Sequence, residues 1–200
     1  MNTTSQLIDP VSLPVTAVSD SDAKWYAIRT RSRHEKVAAR ELDAQGIPVF
    51  LPLVTSVRQW SDRRTEVELP LFPGYAFVRV TYFSGDRVRV LRATGVAGFV
   101  GQTAAGTSIP DEQIESIRTV LIRRVPVKDY PFLNVGQRIR VLNGSLSGVE
   151  GLLVAVKGSR TLVISVEPIQ RSLCINLDDY DVETVAAQSS TVLQNSPAQS

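Results

Sequence analysis

Residues 70–80 read PLFPGYAFVRV. Pro73 and Gly74 punctuate a turn, and Tyr75–Val80 predicts a buried strand behind it. In a strand, Tyr75 and Phe77 point to one face and Ala76 and Val78 to the other. Both faces are therefore apolar, so one can meet a core and the other an interface. Immediately upstream, Val67 and Leu69 alternate with Glu66 and Glu68. With SVRQW at 56–60 and the polar break SDRR at 61–64, this is a hairpin signature. IPVFLPLV, at 47–54, reads as extended.

Working further outward, a β-rich run, WYAIRT, begins at Trp25, and RSRHEKVAARELDAQG follows it. Ser32 and Glu35 have capping-box spacing at a helix start. Val37, Ala38, Leu42 and Ala44 supply a narrow apolar stripe, and Gly46 is a stop. Residues 84–94 satisfy both periods: Val88 and Val90 alternate with Arg87 and Arg89, while Val88, Leu91 and Arg92 fit helical spacing. GFVG, at 98–101, predicts a short strand. IPDEQIESIRTVLIRR, at 109–124, predicts a helix with Pro110 at its first position and Ile114, Ile117 and Leu121 on one face. The order implies an α+β sandwich, helices flanking a mostly antiparallel sheet.

The C-terminal part changes character. QRIRVL, EGLLVAV, TLVISVE and SLCINL are four short strands punctuated by Gly144, Gly148, Gly151 and Gly158. No helical period appears, which predicts a small SH3-like β-barrel. Ile139, Val141, Leu152, Val154, Leu162, Ile164 and Leu177 are its expected core. Gly144, Gly148 and Gly151 precede β-branched and apolar residues rather than a helix, so a phosphate-binding loop is excluded. The expected organisation is a disordered lead-in at 1–23, a first domain at 24–124, a linker at 125–133, the barrel at 134–184 and a flexible tail at 185–200.

The chain has 200 residues, one cysteine (Cys174) and one histidine (His34). These exclude a disulfide framework and make a Cys- or His-built metal site an unsuitable basis for function. The net charge is only +2, but it is unevenly spread: residues 24–64 hold nine bases against four acids. No apolar run is long enough to cross a membrane, and, with no basic stretch followed by an apolar one near the N-terminus, no signal peptide is expected. The expectation is a cytoplasmic protein without metal or small-molecule cofactor. No G-x-S-x-G, H-E-x-x-H or Walker A motif is present, so the chain does not read as an enzyme.

KWYAIRTRSRHEKVAARE, PLFPGYAFVRV and GQRIRVLNGSLSGVEG together resemble the NusG family of transcription elongation factors, from about Lys24 to Glu183. The resemblance implies a NusG N-terminal domain followed by a KOW domain. RQWSDRR, PLFPGYAFVRV and GSLSGVEG are similar to the specialised UpxY-like and RfaH-like antiterminators. The implied function is operon-specific, processive elongation. The alternatives are a housekeeping factor coupling polymerase to Rho, and a ribosome-associated KOW protein.

The resemblance implies docking on the clamp helices of the RNA polymerase largest subunit through Trp25, Tyr26, Phe72, Pro73, Tyr75 and Phe77. The same aromatics could instead be core. Arg29, Arg31, Arg33, Lys36 and Arg40 match the part of the domain that faces the non-template DNA strand. Their clustering suits a phosphate backbone, or an ordinary solvated face. Arg29, Arg31 and Arg33 share a face if strand geometry persists. Trp60 beside Arg58, Arg63 and Arg64 could stack on a base or cap the sheet. In the barrel, Ile169 and Arg171 match the family's partner-binding loop, with a NusE-type ribosomal protein favoured over Rho. Ile169 could alternatively plug one end of the barrel.

Overall fold

The computed structural model describes residues 22–60, 63–82, 84–131, 136–156 and 159–185. The N-terminal unit is built on β1 (Lys24–Thr30), with β2 (Val49–Phe50), β5 (Tyr75–Val80), β6 (Val96–Phe99) and β7 (Ser108–Ile109) around it. The sheet order is β2-β5-β1-β6, with β7 also pairing β1, and all pairs are antiparallel. Alternation along β1 separates two apolar layers. Tyr26 and Ile28 join Ala76 and Val78 under α1 (Glu35–Ala44) and α2 (Gly85–Arg92), with Leu42 and Val90 completing that layer. Trp25, Ala27 and Phe77 face the other way, against Ile114, Ile117 and Val120 of α3 (Asp111–Ile122). The expected α+β sandwich is the observed one.

Residues 84–94 resolve to a helix. Asp86 lies in its first turn, and Arg89 and Arg92 in its last, which favours the helix dipole. The decisive contact is Arg87, whose guanidinium lies 4.0 Å from the Phe99 ring centroid and 4.7 Å from that of Tyr26. Cation–π attraction pins α2 over the sheet.

The helix ends of the sequence reading need two corrections. Ser32 does not cap α1: His34 occupies the N-cap, with no side-chain cap bond. Glu35 is turned elsewhere, as described below. Pro110 flanks α3 rather than opening it, because its ψ of 141° is extended. Gly46 does stop α1: its φ is +73°, its amide bonds the Asp43 carbonyl, and Ile47 N–H bonds that of Leu42. That is a Schellman closure.

The hairpin forms as β3 (Leu53–Trp60) paired with β4 (Arg63–Pro70), in register from Leu53↔Pro70 to Trp60↔Arg63. The break shortens from four residues to the two between Trp60 and Arg63, since Arg63 and Arg64 join the ladder. The side chains of Arg58, Trp60, Arg63 and Arg64 lie outside the described residues.

The C-terminal unit has the four expected strands, β9 (Gln137–Val141), β10 (Glu150–Val156), β11 (Ser159–Val166) and β12 (Arg171–Asn176). Two more flank them: β8 (Lys128–Pro131) and β13 (Val182–Thr184), giving the order β13-β9-β10-β11-β12-β8. β8 falls within the expected linker. Pro131 is tolerated there because β8 is an edge strand.

β10 runs one residue out of phase with expectation. Ile139, Val141, Leu162, Ile164 and Leu177 are buried, but Leu152 and Val154 are only half-buried. The partners of Ile139 and Leu162 on β10 are Gly151 and Leu153. The inward positions are thus 151 and 153, and Gly151 hides the period because it has no side chain. A Cβ there would lie 2.6 Å from the Val163 carbonyl oxygen and 2.8 Å from Leu162 Cδ1. The apolar cluster is continuous from the N-terminal unit into this one. α3 contacts both β10 and β11, and the Glu150 amide lies 3.5 Å from Ser116 Oγ.

The expected lead-in falls outside the described residues except for Asp22 and Ala23, as does the expected tail except for Val185.

Candidate functional site

The candidate docking aromatics do not share one surface. Cross-strand register pairs Ala27 with Phe77 and Arg29 with Tyr75, so these lie on the Trp25 side of the sheet. Tyr26 belongs to the opposite layer, at 4% exposure beneath Arg87. On the Trp25 side, Trp25, Phe72 and Phe77 are core rather than surface, at 5%, 1% and 0% exposure. Phe72 and Phe77 meet edge to face, centroids 6.1 Å apart. Trp25 meets the half-buried Phe50 in the same way at 6.5 Å. Arg118 of α3 lies 5.1 Å from the Phe50 ring centroid and 5.9 Å from that of Trp25, covering both. Of the six residues, Pro73 is exposed and Tyr75 half-buried.

Tyr75 has a charged neighbour. As its directly opposite cross-strand partner, Arg29 brings its Cβ within about 5 Å of that of Tyr75. On the other side of Arg29 the register partner is Gly98, which presents no side chain and has nothing within 4 Å of where one would start. Arg29 is exposed, and this flank is open.

The alternation expected of Arg29, Arg31 and Arg33 is broken, because β1 ends at Thr30 and its register shifts between Arg29 and Thr30. Arg31 and Arg33 lie on the following turn, with Arg33 in left-handed backbone at φ 63°. All three are still exposed, as is Arg40 on α1. Lys36 is set apart by an ion pair with Glu68 of β4 at 3.6 Å. Both side chains are more than a third exposed, so the pair adds little stability.

Glu35 and Leu142 were missed from sequence. Capping-box spacing assigns Glu35 to its own helix, whereas its Oε1 accepts the Gly74 amide at 2.8 Å. Leu142 is 50% exposed; Ile139 and Val141 point inward, so alternation places Leu142 outside.

In the barrel, Ile169 does not project. It ends a short 3-10 turn, Glu167–Ile169, and is 4% exposed within the cluster that holds Val166 and Leu173. The plug is the observed arrangement, while Arg171, just beyond Gln170 in left-handed backbone, is exposed. The barrel face around β9 carries an ion network. Arg140 Nε donates to Glu150 Oε1 at 2.9 Å, and Arg140 also lies near Glu183. The Glu150 hydrogen bond raises the Arg140 pKa above its ordinary value. This guanidinium stays charged through the whole working pH range.

With this geometry in place, comparison identifies the class. Residues 23–118 form a NusG-family domain, matching the family described as "Transcription termination factor nusG". The likeness extends through the barrel. The transcription termination/antitermination protein NusG of Lactococcus lactis subsp. lactis (strain IL1403) is 25% identical over 178 residues, covering 83% of this chain and 95% of that protein. The same-named protein of Staphylococcus epidermidis is 22% identical over 173 residues, covering 80% and 94%. A solved structure described as "Domain interaction in Thermotoga maritima NusG" has a TM-score of 0.46 at 22% identity, covering 83% of this chain and 99% of that one. The chain is thus similar, over about four fifths of its length, to transcription termination/antitermination proteins named NusG. Among the described residues, no helix is long and apolar enough to cross a membrane.

Proposed function

We propose that this chain is a non-enzymatic elongation factor that binds the clamp helices of RNA polymerase and favours its processive, pause-resistant state. The observation that carries the reading is the juxtaposition of Tyr75 and Arg29 on one face of the sheet, beside the exposed Pro73. An aromatic anchor with a cation beside it suits a protein interface bordering a nucleic-acid strand. Tyr75 and Pro73 make the polymerase contact, and the buried aromatics shape the surface from beneath. Arg29, Arg31, Arg33 and Arg40 face the non-template strand.

Tyr75→Ala is expected to leave the circular dichroism spectrum unchanged. It should weaken polymerase binding by about 2 kcal/mol, roughly thirtyfold. Wild-type affinity in the folded variant would remove Tyr75 from the interface. A second expectation concerns DNA: single-stranded oligonucleotides should bind weakly, with affinity falling as salt rises. Changing Arg29, Arg31 and Arg33 to Gln should reduce the log–log salt slope by about 2, given roughly 0.7 per phosphate contact. An unchanged slope would leave these arginines as a solvated face.

The barrel binds a protein partner of the NusE type rather than Rho, offering Arg171 and the exposed Leu142. Chemical-shift changes at those residues on titration with the ribosomal protein are the test. A response to Rho alone would favour a housekeeping role. Operon specificity rests on the likeness of RQWSDRR and GSLSGVEG to the specialised antiterminators. Chromatin mapping of the tagged protein should find it on a few operons, and genome-wide occupancy would overturn that part.

A further inference from the structure

Helix α1 spends two carboxylates on backbone amides far away in sequence. Glu35, 7% exposed, accepts the Gly74 amide at 2.8 Å through Oε1. Glu41 accepts the Thr94 amide at 2.9 Å through Oε2. Each amide belongs to a turn, Phe72–Tyr75 in one case and Thr94–Gly95 in the other. The segment that leads into α1 is stitched to the same two turns: Thr30 N–H bonds the Gly74 carbonyl and Arg31 N–H that of Gly95, at 2.8 and 2.7 Å. Gly74 is thereby held through both its amide and its carbonyl, at φ +85°. Tyr75, the next residue, closes the turn by bonding the Phe72 carbonyl at 3.1 Å.

We propose that Glu35 is a positioning residue that locks the Phe72–Tyr75 turn to the arginine-bearing end of β1, so that Tyr75 and Arg29 engage polymerase and nucleic acid as one rigid edge. The inference rests on the function proposed above for Tyr75 and Arg29. It differs from a capping role, because α1 has no side-chain cap bond at all. It also differs from a charge role, because the bond needs an acceptor and not a negative charge. A glutamine side chain retains a carbonyl oxygen that can take the same amide hydrogen.

The test compares Glu35→Gln with Glu35→Ala in the full chain. Glu35→Ala removes the acceptor for a part-buried amide and is expected to weaken polymerase binding about tenfold, while Glu35→Gln stays within about twofold of wild type. Amide exchange at Gly74 gives a readout that needs no polymerase: protection should be lost in the Ala variant and kept in the Gln variant. In a double-mutant cycle, Glu35→Ala should add little to Tyr75→Ala, since both act through one side chain. Unchanged Gly74 exchange in Glu35→Ala overturns the proposal, as does equal loss of binding in both variants. Absence of polymerase binding by the wild type would instead refute the proposed function. The Gly74 exchange result would still decide whether Glu35 holds the turn.

Discussion

Replacing Phe77 with alanine is expected to cost about 3–5 kcal/mol, the range for deleting a fully buried phenyl ring. Phe77 is 0% exposed and stands between Phe72 and Phe50, with ring centroids 6.1 Å away on either side. A domain of this size is stabilised by only about 5–15 kcal/mol, so the variant should lose a large part of that margin. Urea denaturation followed by circular dichroism should show the midpoint moving sharply down. Two residues away, Tyr75→Ala should move it much less, because Tyr75 is only partly buried against that core. That contrast separates the core from the docking surface within a single strand. A Phe77→Ala protein with wild-type stability and impaired polymerase binding would reverse the assignment.

Gly95→Ala is expected to be strongly destabilising. Its φ is +85°, and a Cβ would stand 2.5 Å from His34 Cβ. The left-handed backbone costs an alanine about 1–2 kcal/mol, and crowding a packed contact typically adds about 1–3 kcal/mol. His34 cannot easily retreat, because the Arg31 amide beside it is bonded to the Gly95 carbonyl. Gly46→Ala is the matched control: φ is +73°, but nothing lies within 4 Å of the new Cβ. Thermal melting should show a clearly larger drop for Gly95→Ala. Equal drops would mean that the His34 contact relaxes freely.

The difference between what could and could not be read from sequence has a physical pattern. Features set by local chemistry were legible: the turn before Tyr75, the Val67/Leu69 alternation of β4, the Gly46 stop, and the amphipathic course of α3. Features set by partners distant in the chain were not. Val88 and Val90 alternate as in a strand while Val88, Leu91 and Arg92 fit a helix, and the choice fell to Arg87 finding Phe99 and Tyr26. Glu35 has capping-box spacing, but Gly74, 39 positions away, takes its carboxylate. The phase of β10 was misread because Gly151, an inward position, contributes no side chain to count. For the candidate site, residue types were legible and exposure was not. Trp25, Phe72, Phe77 and Ile169 look the same in sequence whether they greet a partner or fill a core. Trp25 and Tyr26 could not both face one partner in any regular strand, a constraint that adjacency alone already carries.

The connection between the two units is short. α3 ends at Ile122 and β8 begins at Lys128, six peptide steps apart. At about 3.5 Å per residue fully extended, a barrel released from α3 stays within roughly 20 Å of its end. Anything the barrel holds is therefore presented to whatever the sheet holds at an effective concentration on the order of millimolar. Where the two partners are themselves joined, a barrel contact with a Kd well below that concentration is nearly saturated once the sheet is docked, even if it is too weak to survive alone in dilute solution. Tight binding by the barrel would add little occupancy and would slow the exchange of one partner for the next.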